Sequence, residues 1–309
     1  MRKQLEDYLL SIIKGKNNNF LDKIVKFILK ILEIVYLTAI KIRKILYKLG
    51  IKKSKKLEAN VISVGNITTG GTGKTPVVER LALELLDKGK NVGILSRGYH
   101  SEGDSPLIIS DGEDILVDVN KAGDELYMMA SHLSGIPIIK GKNRYEAGKL
   151  ALNKFDLDLL IFDDSFQHWQ LKRDLDIVVI DALNPFGYNH LLPRGVLREP
   201  LSSFKRADII IISRSNQVRQ KKLKQIKNKI QSYNPNVDIF MANHNPINIA
   251  AIATGSEENL NSPEDLEDKN ALAFSGIGNP DSFVKGLEEL GVNVVETANY
   301  PDHYNYKNE

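Results

Sequence analysis

The sequence predicts an α/β fold: a doubly wound parallel sheet with a second, smaller α/β domain and an N-terminal amphipathic helix. Three observations predict this fold. Apolar, β-branched runs alternate with helical patterns from residue 57 onward, and a glycine-rich turn joins the first run to the first helix. Residues 1–56 carry 15 Lys/Arg against 4 Asp/Glu, a net charge of +11, which leaves −8 on the remaining residues because the whole chain carries +3.

Residues 20–49 have the pattern of one long helix. Its polar positions form a single stripe, interrupted only around Leu37, at Lys23, Lys26, Lys30, Glu33, Lys41, Lys44 and Lys48. The longest uncharged run, 34–40, is far shorter than the roughly 18–20 residues that a membrane span needs. The pattern favours a basic helix that lies in the membrane interface. The alternative is a helix packed on the protein's own core with its lysines in solvent. Nucleic-acid binding is another use of basic charge, but the sequence shows neither a recognition helix nor an aromatic platform for bases.

A glycine-rich loop follows the short strand predicted at residues 61–64. Three glycines in four residues precede Lys74 and Thr75, and Pro76 then opens a helical pattern. Strand, glycine loop, Lys-Thr and helix are typical of the phosphate-binding P-loop, although Thr68 stands where the first glycine is expected. The predicted nucleotide-binding residues are Thr68, Thr69, Gly70, Gly71, Thr72, Gly73, Lys74 and Thr75. Lys74 would neutralise the β- and γ-phosphates, and the Thr75 hydroxyl would bind Mg²⁺.

Further strands and helices alternate after this loop. Strands are predicted at 91–96, 136–139, 176–181 and 208–213, helices at 122–133 and 144–152, and a small hairpin within 101–120. The run at 157–162 ends in Asp163 and Asp164, as a Walker B strand does. These two carboxylates are therefore predicted to bind Mg²⁺ together with Thr75.

The C-terminal part predicts a smaller α/β unit. Strands at 237–242, 271–275 and 292–296 and a helix at 281–290 follow a lysine-rich helix that begins near residue 217. The predicted domains are 1–56, a basic helix and linker, 57–235, the P-loop domain, and 236–309, the smaller domain. The absence of cysteine excludes disulfide scaffolds, thiolate metal sites and thiol catalysis.

Several peptides together resemble the tetraacyldisaccharide 4′-kinases, the lipid A 4′-kinases of Gram-negative envelopes. They are GNITTGGTGKTP (65–76), LSRGY (95–99), AGDE (122–125), NRY (143–145), DDSFQH (163–168), LPRGVLREP (192–200), FSGIGNP (274–280) and DHY (302–304). The set covers residues 60–304 in the family's order, and the family's loop also lacks the first Walker glycine. Two departures exist: Ser165 replaces a glycine, and the family's later Thr-Glu-Lys-Asp stretch is not in this sequence.

The resemblance implies transfer of the ATP γ-phosphoryl group to the 4′-hydroxyl of a tetraacylated glucosamine disaccharide 1-phosphate. It implies Asp124 and His303 as the base pair, with Lys74 catalytic as well, and Glu125 as a helper of the Mg²⁺ ligands. Substrate-side residues would be Tyr99, Arg144, Gln167, His168 and Arg198, because arginine suits a phosphate through its fork geometry. The expected location is the cytoplasmic face of the inner membrane, reached through the N-terminal helix, with no protein partner predicted.

Two other classes of function fit part of the sequence. A membrane-recruited P-loop ATPase switch would use the glycine loop and the amphipathic helix but would need neither Asp124 nor His303. A non-catalytic binding protein would need no turnover. ATP consumption with and without the acylated acceptor separates the three.

Overall fold

The computed structural model describes residues 2–15, 19–98, 101–103, 105–243, 245, 249–250, 260–277, 280–301 and 304. The chain divides into two compact units, Met1–Met241 and Ala242–Glu309. Within the described ranges, no helix has the length and apolar character that crossing a membrane would require.

The first unit contains an eight-stranded sheet in the order β3-β4-β2-β5-β1-β6-β7-β8. All neighbours pair in parallel except β3, which is antiparallel to β4. The strands are β1 Asn60–Gly65, β2 Val92–Ser96, β3 Leu107–Ser110, β4 Ile138–Lys140, β5 Leu159–Asp163, β6 Leu175–Asp181, β7 Ile209–Ser213 and β8 Asp238–Met241. Strands β2 and β5 are buried throughout, as their continuous apolar runs predict.

Two helices precede the first strand, and the later helices lie between strands and cover the sheet. They are α1 Arg2–Ile13, α2 Phe20–Lys48, α3 Lys74–Asp87, α4 Val119–Ala122, α5 Asp124–His132, α6 Arg144–Lys154 and α7 Gln220–Gln231. Helices α3 and α5 share one core cluster with the sheet, whereas α6 and α7 belong to two other clusters. This is the doubly wound arrangement, and it brings the carboxyl ends of β1 and β5 side by side.

The second unit has β11 Asn270–Ser275 paired in parallel with β12 Asn293–Asn299, connected by α8 Pro280–Glu289. A separate antiparallel pair joins β9 Ile249–Ala250 to β10 Leu260–Asn261. A parallel strand pair with a helical crossover confirms the smaller α/β element expected in this region.

Three details differ from the sequence predictions. The strand expected at 237–242 in the C-terminal unit is β8, which pairs with β7 at the edge of the main sheet. The hairpin expected within 101–120 contributes β3 to the same sheet. The helix expected at 122–133 is two helices, α4 and α5, because Gly123 between them has φ +84 and ψ 149, outside the helical region.

Helix α2 packs on the main core along one narrow strip. Its Glu33 side chain accepts a hydrogen bond from the Leu191 backbone N–H (2.9 Å), and the Tyr36 hydroxyl donates to the Arg198 carbonyl (3.0 Å). Leu37 and Ile40 pack against the core cluster beside them. Leu29 is also buried, but most of the other large apolar side chains of α2 are exposed: Phe20, Leu21, Ile24, Phe27, Ile28, Ile31, Leu32, Ile34, Val35, Ile42 and Ile45. Features of both sequence interpretations of this helix are therefore present, a core-packed strip and a broad exposed apolar surface.

Candidate active site

The glycine-rich loop connects the carboxyl end of β1 to the first turn of α3. Gly70 and Gly73 have φ of +98° and +81°, which residues other than glycine rarely adopt. The Asn66 side-chain amide donates to the Thr72 hydroxyl (3.0 Å), and the Ser213 hydroxyl donates to the Thr72 carbonyl (2.8 Å). One hydrogen bond within the loop and one from β7 therefore fix its conformation. Helix α3 begins at Lys74, directly after the loop, where a phosphate-binding loop has its helix N-terminus.

The segment 187–198 supports the loop from the other side. The Thr69 backbone N–H donates to the Val196 carbonyl (2.8 Å), and the Arg198 N–H donates to the Ile67 carbonyl (2.7 Å). An isolated β-bridge joins Thr68 to Leu197. Thr68 thus fills the expected glycine position as part of a short strand-like pairing, which a β-branched residue favours.

A cluster of charges lies where the loop meets β5. Lys74 Nζ is 3.6 Å from Asp164 Oδ1, and the Arg198 guanidinium donates to the same oxygen at 2.6 Å and to Asn66 Oδ1 at 3.2 Å. Burial alone would raise the pKa of Asp164, but the positive charges of Lys74 and Arg198 hold it below its ordinary value. Asp164 is therefore ionised and orients both cations.

Asp163 has a different environment. Its side chain is buried, and burial raises its pKa to about 6. Oδ2 accepts a hydrogen bond from the Ser96 hydroxyl (3.5 Å), while Oδ1 is enclosed without a hydrogen-bond partner among the described residues. An enclosed carboxylate oxygen of this kind fits a cation ligand, because a divalent ion would compensate its charge.

The donor set around Asp163 suits Mg²⁺. No group of three or more His, Cys, Asp or Glu side chains in the described part of the chain could hold a metal ion. Magnesium at a P-loop needs no such group, since it takes one or two protein oxygens and completes its shell with phosphates and water. The Thr75 hydroxyl, in the first turn of α3, and Asp163 are the oxygens that could serve as these ligands.

Asp124 and Glu125 are exposed carboxylates in the first turn of α5. Helix α5 precedes β4, which is parallel to the central strands, so its N-terminus lies at the same edge of the sheet as the glycine loop. The charge of Glu125 is close enough to contribute to the raised pKa of Asp163. The other two residues expected here, Tyr99 and His303, lie outside the described residues.

Arg144 is not positioned as a surface substrate ligand. Its side chain is 3% exposed, and the guanidinium donates to the Gly141 carbonyl (2.7 Å) and the Asp163 carbonyl (3.1 Å). Burial lowers its pKa to about 10, so it keeps its positive charge. Arg144 therefore fixes the backbone at Asp163 and adds positive potential beneath the site.

Gln167 and His168 are half-buried next to this cluster. The Gln167 side-chain amide donates to the Asn66 backbone carbonyl (2.8 Å), and the Gln167 backbone carbonyl accepts from Arg43 of α2 (3.1 Å). Burial lowers the pKa of His168 to about 4, helped by the positive charges of Arg144, Arg173, Arg43 and Arg97. The imidazole is neutral at pH 7 within a strongly cationic environment, which favours an anionic ligand.

Ser165 fits the turn after Asp164 without strain. The positive φ in this motif falls on Asp164 (+48°), and the Ser165 hydroxyl donates to the Asp163 carbonyl at 3.1 Å. The position that requires glycine is Gly65, where the backbone lies so close to Phe166 that an added Cβ would be 2.6 Å from the Phe166 Cβ. The serine therefore leaves the local geometry intact.

Sequence reasoning missed three residues that hold the site. Asn66 contacts Thr72, Arg198 and Gln167, and the buried pair Arg214–Asp181 (2.7 Å) supports the loop because Arg214 also donates to the Gly71 carbonyl (3.0 Å). The sequence did contain a signal for this pair. Asp181 is the last residue of the buried strand β6, and Arg214 directly follows β7, so both charges lie at the sheet edge that carries the glycine loop.

Comparison with known proteins gives a consistent result. The family model described as tetraacyldisaccharide-1-P 4′-kinase matches residues 25–309. A tetraacyldisaccharide 4′-kinase of Halothermothrix orenii is 47% identical over 99% of this chain and 82% of its own length, and one of Pelobacter propionicus is 34% identical over the same shares. The crystal structure of LpxK from Aquifex aeolicus in complex with ATP has a TM-score of 0.70 and 34% identity, covering 92% of this chain and 85% of its own. This chain belongs to the tetraacyldisaccharide-1-P 4′-kinase family.

Proposed function

We propose that this protein transfers the γ-phosphoryl group of ATP to the 4′-hydroxyl of a tetraacylated glucosamine disaccharide 1-phosphate, a step of lipid A biosynthesis. The observation that carries the proposal is the arrangement of Lys74, Asp164 and Arg198 at the exit of a phosphate-binding loop, within a chain of this family. Phosphoryl transfer depends on positioning and on neutralising phosphate charge, and this cluster supplies both.

The loop and its neighbours divide the work on ATP. The loop N–H groups, residues 68–75, and Lys74 bind the phosphates. Asp163 and Thr75 would hold Mg²⁺, which would supply charge neutralisation at the transferred group when bound, and Glu125 adds negative potential beside them. Asp164 serves by orienting Lys74 and Arg198, since both cations already occupy one of its oxygens.

Proton removal from the acceptor hydroxyl is assigned to Asp124 acting with His303, a role carried over from the resemblance. A sugar hydroxyl is a weak nucleophile, so a base is needed as the phosphoryl group arrives. The exposed position of Asp124 at the N-terminus of α5 supports the assignment, because the base must reach a substrate that arrives from outside.

The acceptor's polar head is assigned to Tyr99, Gln167, His168 and Arg198. The cationic surroundings of His168 support this assignment, because the acceptor carries a 1-phosphate. Arg144 is a positioning residue beneath them, as its contacts are with backbone carbonyls.

Membrane association is assigned to α2, at the cytoplasmic face of the inner membrane. Its exposed apolar side chains and the +11 charge of residues 1–56 support an interfacial helix, since apolar burial and attraction to anionic lipid act together. The proposed domain organisation keeps 1–56 as this basic segment. The proposed kinase domain runs from 57 to 241, and not to 235 as the sequence predicts, because β8 belongs to the main sheet, and the smaller C-terminal domain begins at 242.

An ATP-consumption assay with and without the acylated acceptor tests the function. We expect ATP consumption to require the lipid and to yield a phosphorylated lipid. Hydrolysis without any lipid product would support an ATPase switch instead, and neither activity would support a binding protein.

Lys74→Ala tests the phosphate-binding assignment. The lysine supplies charge and little packing, so we expect transfer to be abolished while the circular-dichroism spectrum and the unfolding midpoint stay near those of the wild type. Lys90→Ala, an exposed lysine after α3, is the matched control. Near-normal turnover in folded Lys74→Ala protein would falsify the assignment.

A further inference from the structure

A cavity of about 490 Å³ opens beside the last turns of α2. One side consists of the α2 residues Lys44, Tyr47 and Lys48. The opposite side is formed by the segment from Trp169 to Arg173, together with Arg206. Among the described residues that line it, five side chains are basic and none is acidic, which favours an anionic ligand.

The cavity is separate from the nucleotide site. Arg173 leads into the amino end of β6, and Arg206 leads into the amino end of β7, whereas Lys74 and Asp163 lie at the carboxyl ends of strands in the same parallel sheet. Positions along helix α2 also show how far the cavity lies from the nucleotide site. Tyr47 lies about three turns beyond Tyr36, which contacts Arg198, and that is about 16 Å along the helix axis.

The positive charge of the cavity comes from its lysines. Arg173 pairs with Asp176 (2.8 Å) and Arg206 with Glu199 (2.9 Å), so both arginines are neutralised and fixed. Lys44, Lys48 and Lys172 are exposed, and none of the three takes part in an ion pair with any residue the structure describes. Three charges without carboxylate partners converge on one cavity.

Aromatic side chains also line the cavity, and exposed apolar residues adjoin its lysines in sequence. Tyr47 and Trp169 meet edge to face with ring centroids 5.7 Å apart. Ile45 and Leu49, each next to a cavity lysine in sequence, are 53% and 67% exposed. A ligand that fills the cavity and also covers these exposed side chains would therefore combine an anionic group with hydrocarbon.

We propose that this cavity binds the phosphate group of an anionic glycerophospholipid of the bilayer, with its acyl chains along the exposed apolar side of α2. The site is distinct from the acceptor site. It rests on the proposed membrane association of α2 and adds to it a defined lipid-binding position at the C-terminal end of the helix.

Trp169 makes the proposal directly measurable, because it is the only tryptophan in the chain. Full-length protein is mixed with phosphatidylcholine vesicles, with or without phosphatidylglycerol brominated in its acyl chains, and tryptophan fluorescence is recorded. We expect saturable quenching that requires the anionic lipid. In Lys44→Gln/Lys48→Gln/Lys172→Gln, the lipid concentration for half-quenching should rise about a hundredfold.

Two variants control this experiment. The arginine version, Lys44→Arg/Lys48→Arg/Lys172→Arg, keeps the charge and should be quenched like the wild type. Lys221→Gln/Lys224→Gln/Lys229→Gln removes three exposed lysines from α7 and should also behave like the wild type. Equal loss in the α7 variant would reveal attraction by net charge alone and would overturn the site.

Further outcomes separate the possible ligands. Absence of quenching overturns the proposal. If the protein then still pellets with the vesicles, the membrane association of α2 stands; if it does not pellet, both fail. Displacement of the brominated lipid by the acylated disaccharide 1-phosphate would assign the cavity to the acceptor, and displacement by inorganic phosphate would assign it to a free anion. Either result overturns the lipid assignment.

Discussion

Asp163 and Asp164 are adjacent carboxylates with different electrostatics. Asp164 shares one oxygen with Lys74 and Arg198, which holds its pKa low, whereas burial raises the pKa of Asp163 to about 6 and leaves its Oδ1 unpaired among the described residues. The backbone causes the difference, because Asp164 has φ +48° and turns out of the strand direction that Asp163 follows. At the residue scale, a single backbone turn thus separates Asp163, the proposed Mg²⁺ ligand, from Asp164, which orients two cations.

The buried pair Asp181–Arg214 should contribute measurably to stability. Arg214→Gln leaves Asp181 without its cation in a site where both side chains are about a tenth exposed, so we expect a loss of about 3 kcal/mol in unfolding free energy. Urea unfolding measures it. Asp181→Asn/Arg214→Gln should regain part of the loss, because no unpaired charge remains. A double variant as unstable as the sum of the singles would show that the two side chains act independently.

His168 should make stability depend on pH. Its folded-state pKa is about 4 and its ordinary value 6.5, so between these limits the unfolded chain binds more protons than the folded one. The unfolding free energy should therefore fall as the pH is lowered from 6.5 to 4. Urea unfolding at pH 7 and pH 5 should show a smaller decrease for His168→Gln than for the wild type. Parallel decreases would place the His168 pKa near its unfolded value.

At the element scale, α2 combines two surfaces. Glu33, Tyr36, Leu37 and Ile40 dock it to the main core, while most of its apolar side chains stay in solvent. The hydrophobic pattern alone could predict the helix and its bounds, but not the docking strip, because Glu33 and Tyr36 find their partners more than 150 residues away. Deleting the whole helix would therefore also expose core surface.

Substituting only the exposed side isolates the membrane contribution. Phe27→Ser/Ile31→Ser/Val35→Ser changes one exposed stripe and leaves the docking strip intact. Each side chain should contribute about 1.5 kcal/mol or more when buried in lipid. Partition into anionic vesicles should therefore fall at least about a hundredfold, and the KM for lipid should rise more than the KM for ATP.

The matched control is Gln220→Ser/Gln225→Ser/Asn228→Ser on the exposed side of α7. It should pellet with vesicles like the wild type. If the α2 variant also pellets unchanged at moderate salt, the exposed surface of α2 is not the membrane contact.

At the scale of the whole molecule, the main sheet, the glycine loop and the acidic strand end follow from sequence patterns, because continuous apolar runs report burial on both faces. The position of β8 does not follow, since pairing with β7 is a tertiary property of a short, largely exposed edge strand. The burial of Arg144 does not follow either, because a motif indicates that an arginine is needed and not which way it points.

The proposed proton transfer is assigned to Asp124 and His303, which are 179 residues apart in the sequence. Asp124→Ala and His303→Ala should each lower kcat by about 10²–10⁴ with little change in the KM for ATP, since both are assigned to proton transfer. Rates at saturating lipid and ATP measure this, with Glu113→Ala as an exposed control carboxylate. The double variant should be little worse than the poorer single. Fully multiplicative losses would mean independent roles, and an unaffected His303→Ala would leave Asp124 as the base alone.

The docking strip of α2 also has a consequence for biosynthesis. Leu191 follows Glu33 by 158 residues and Arg198 follows Tyr36 by 162, so the helix leaves the ribosome long before its docking partners exist. At about 5–20 residues per second, this interval lasts roughly 8–30 s. Under the proposed membrane association, α2 is therefore available to the bilayer before its own docking partners have been synthesised. We expect the ribosome–nascent chain complex to be on the membrane by the time the nucleotide site is completed.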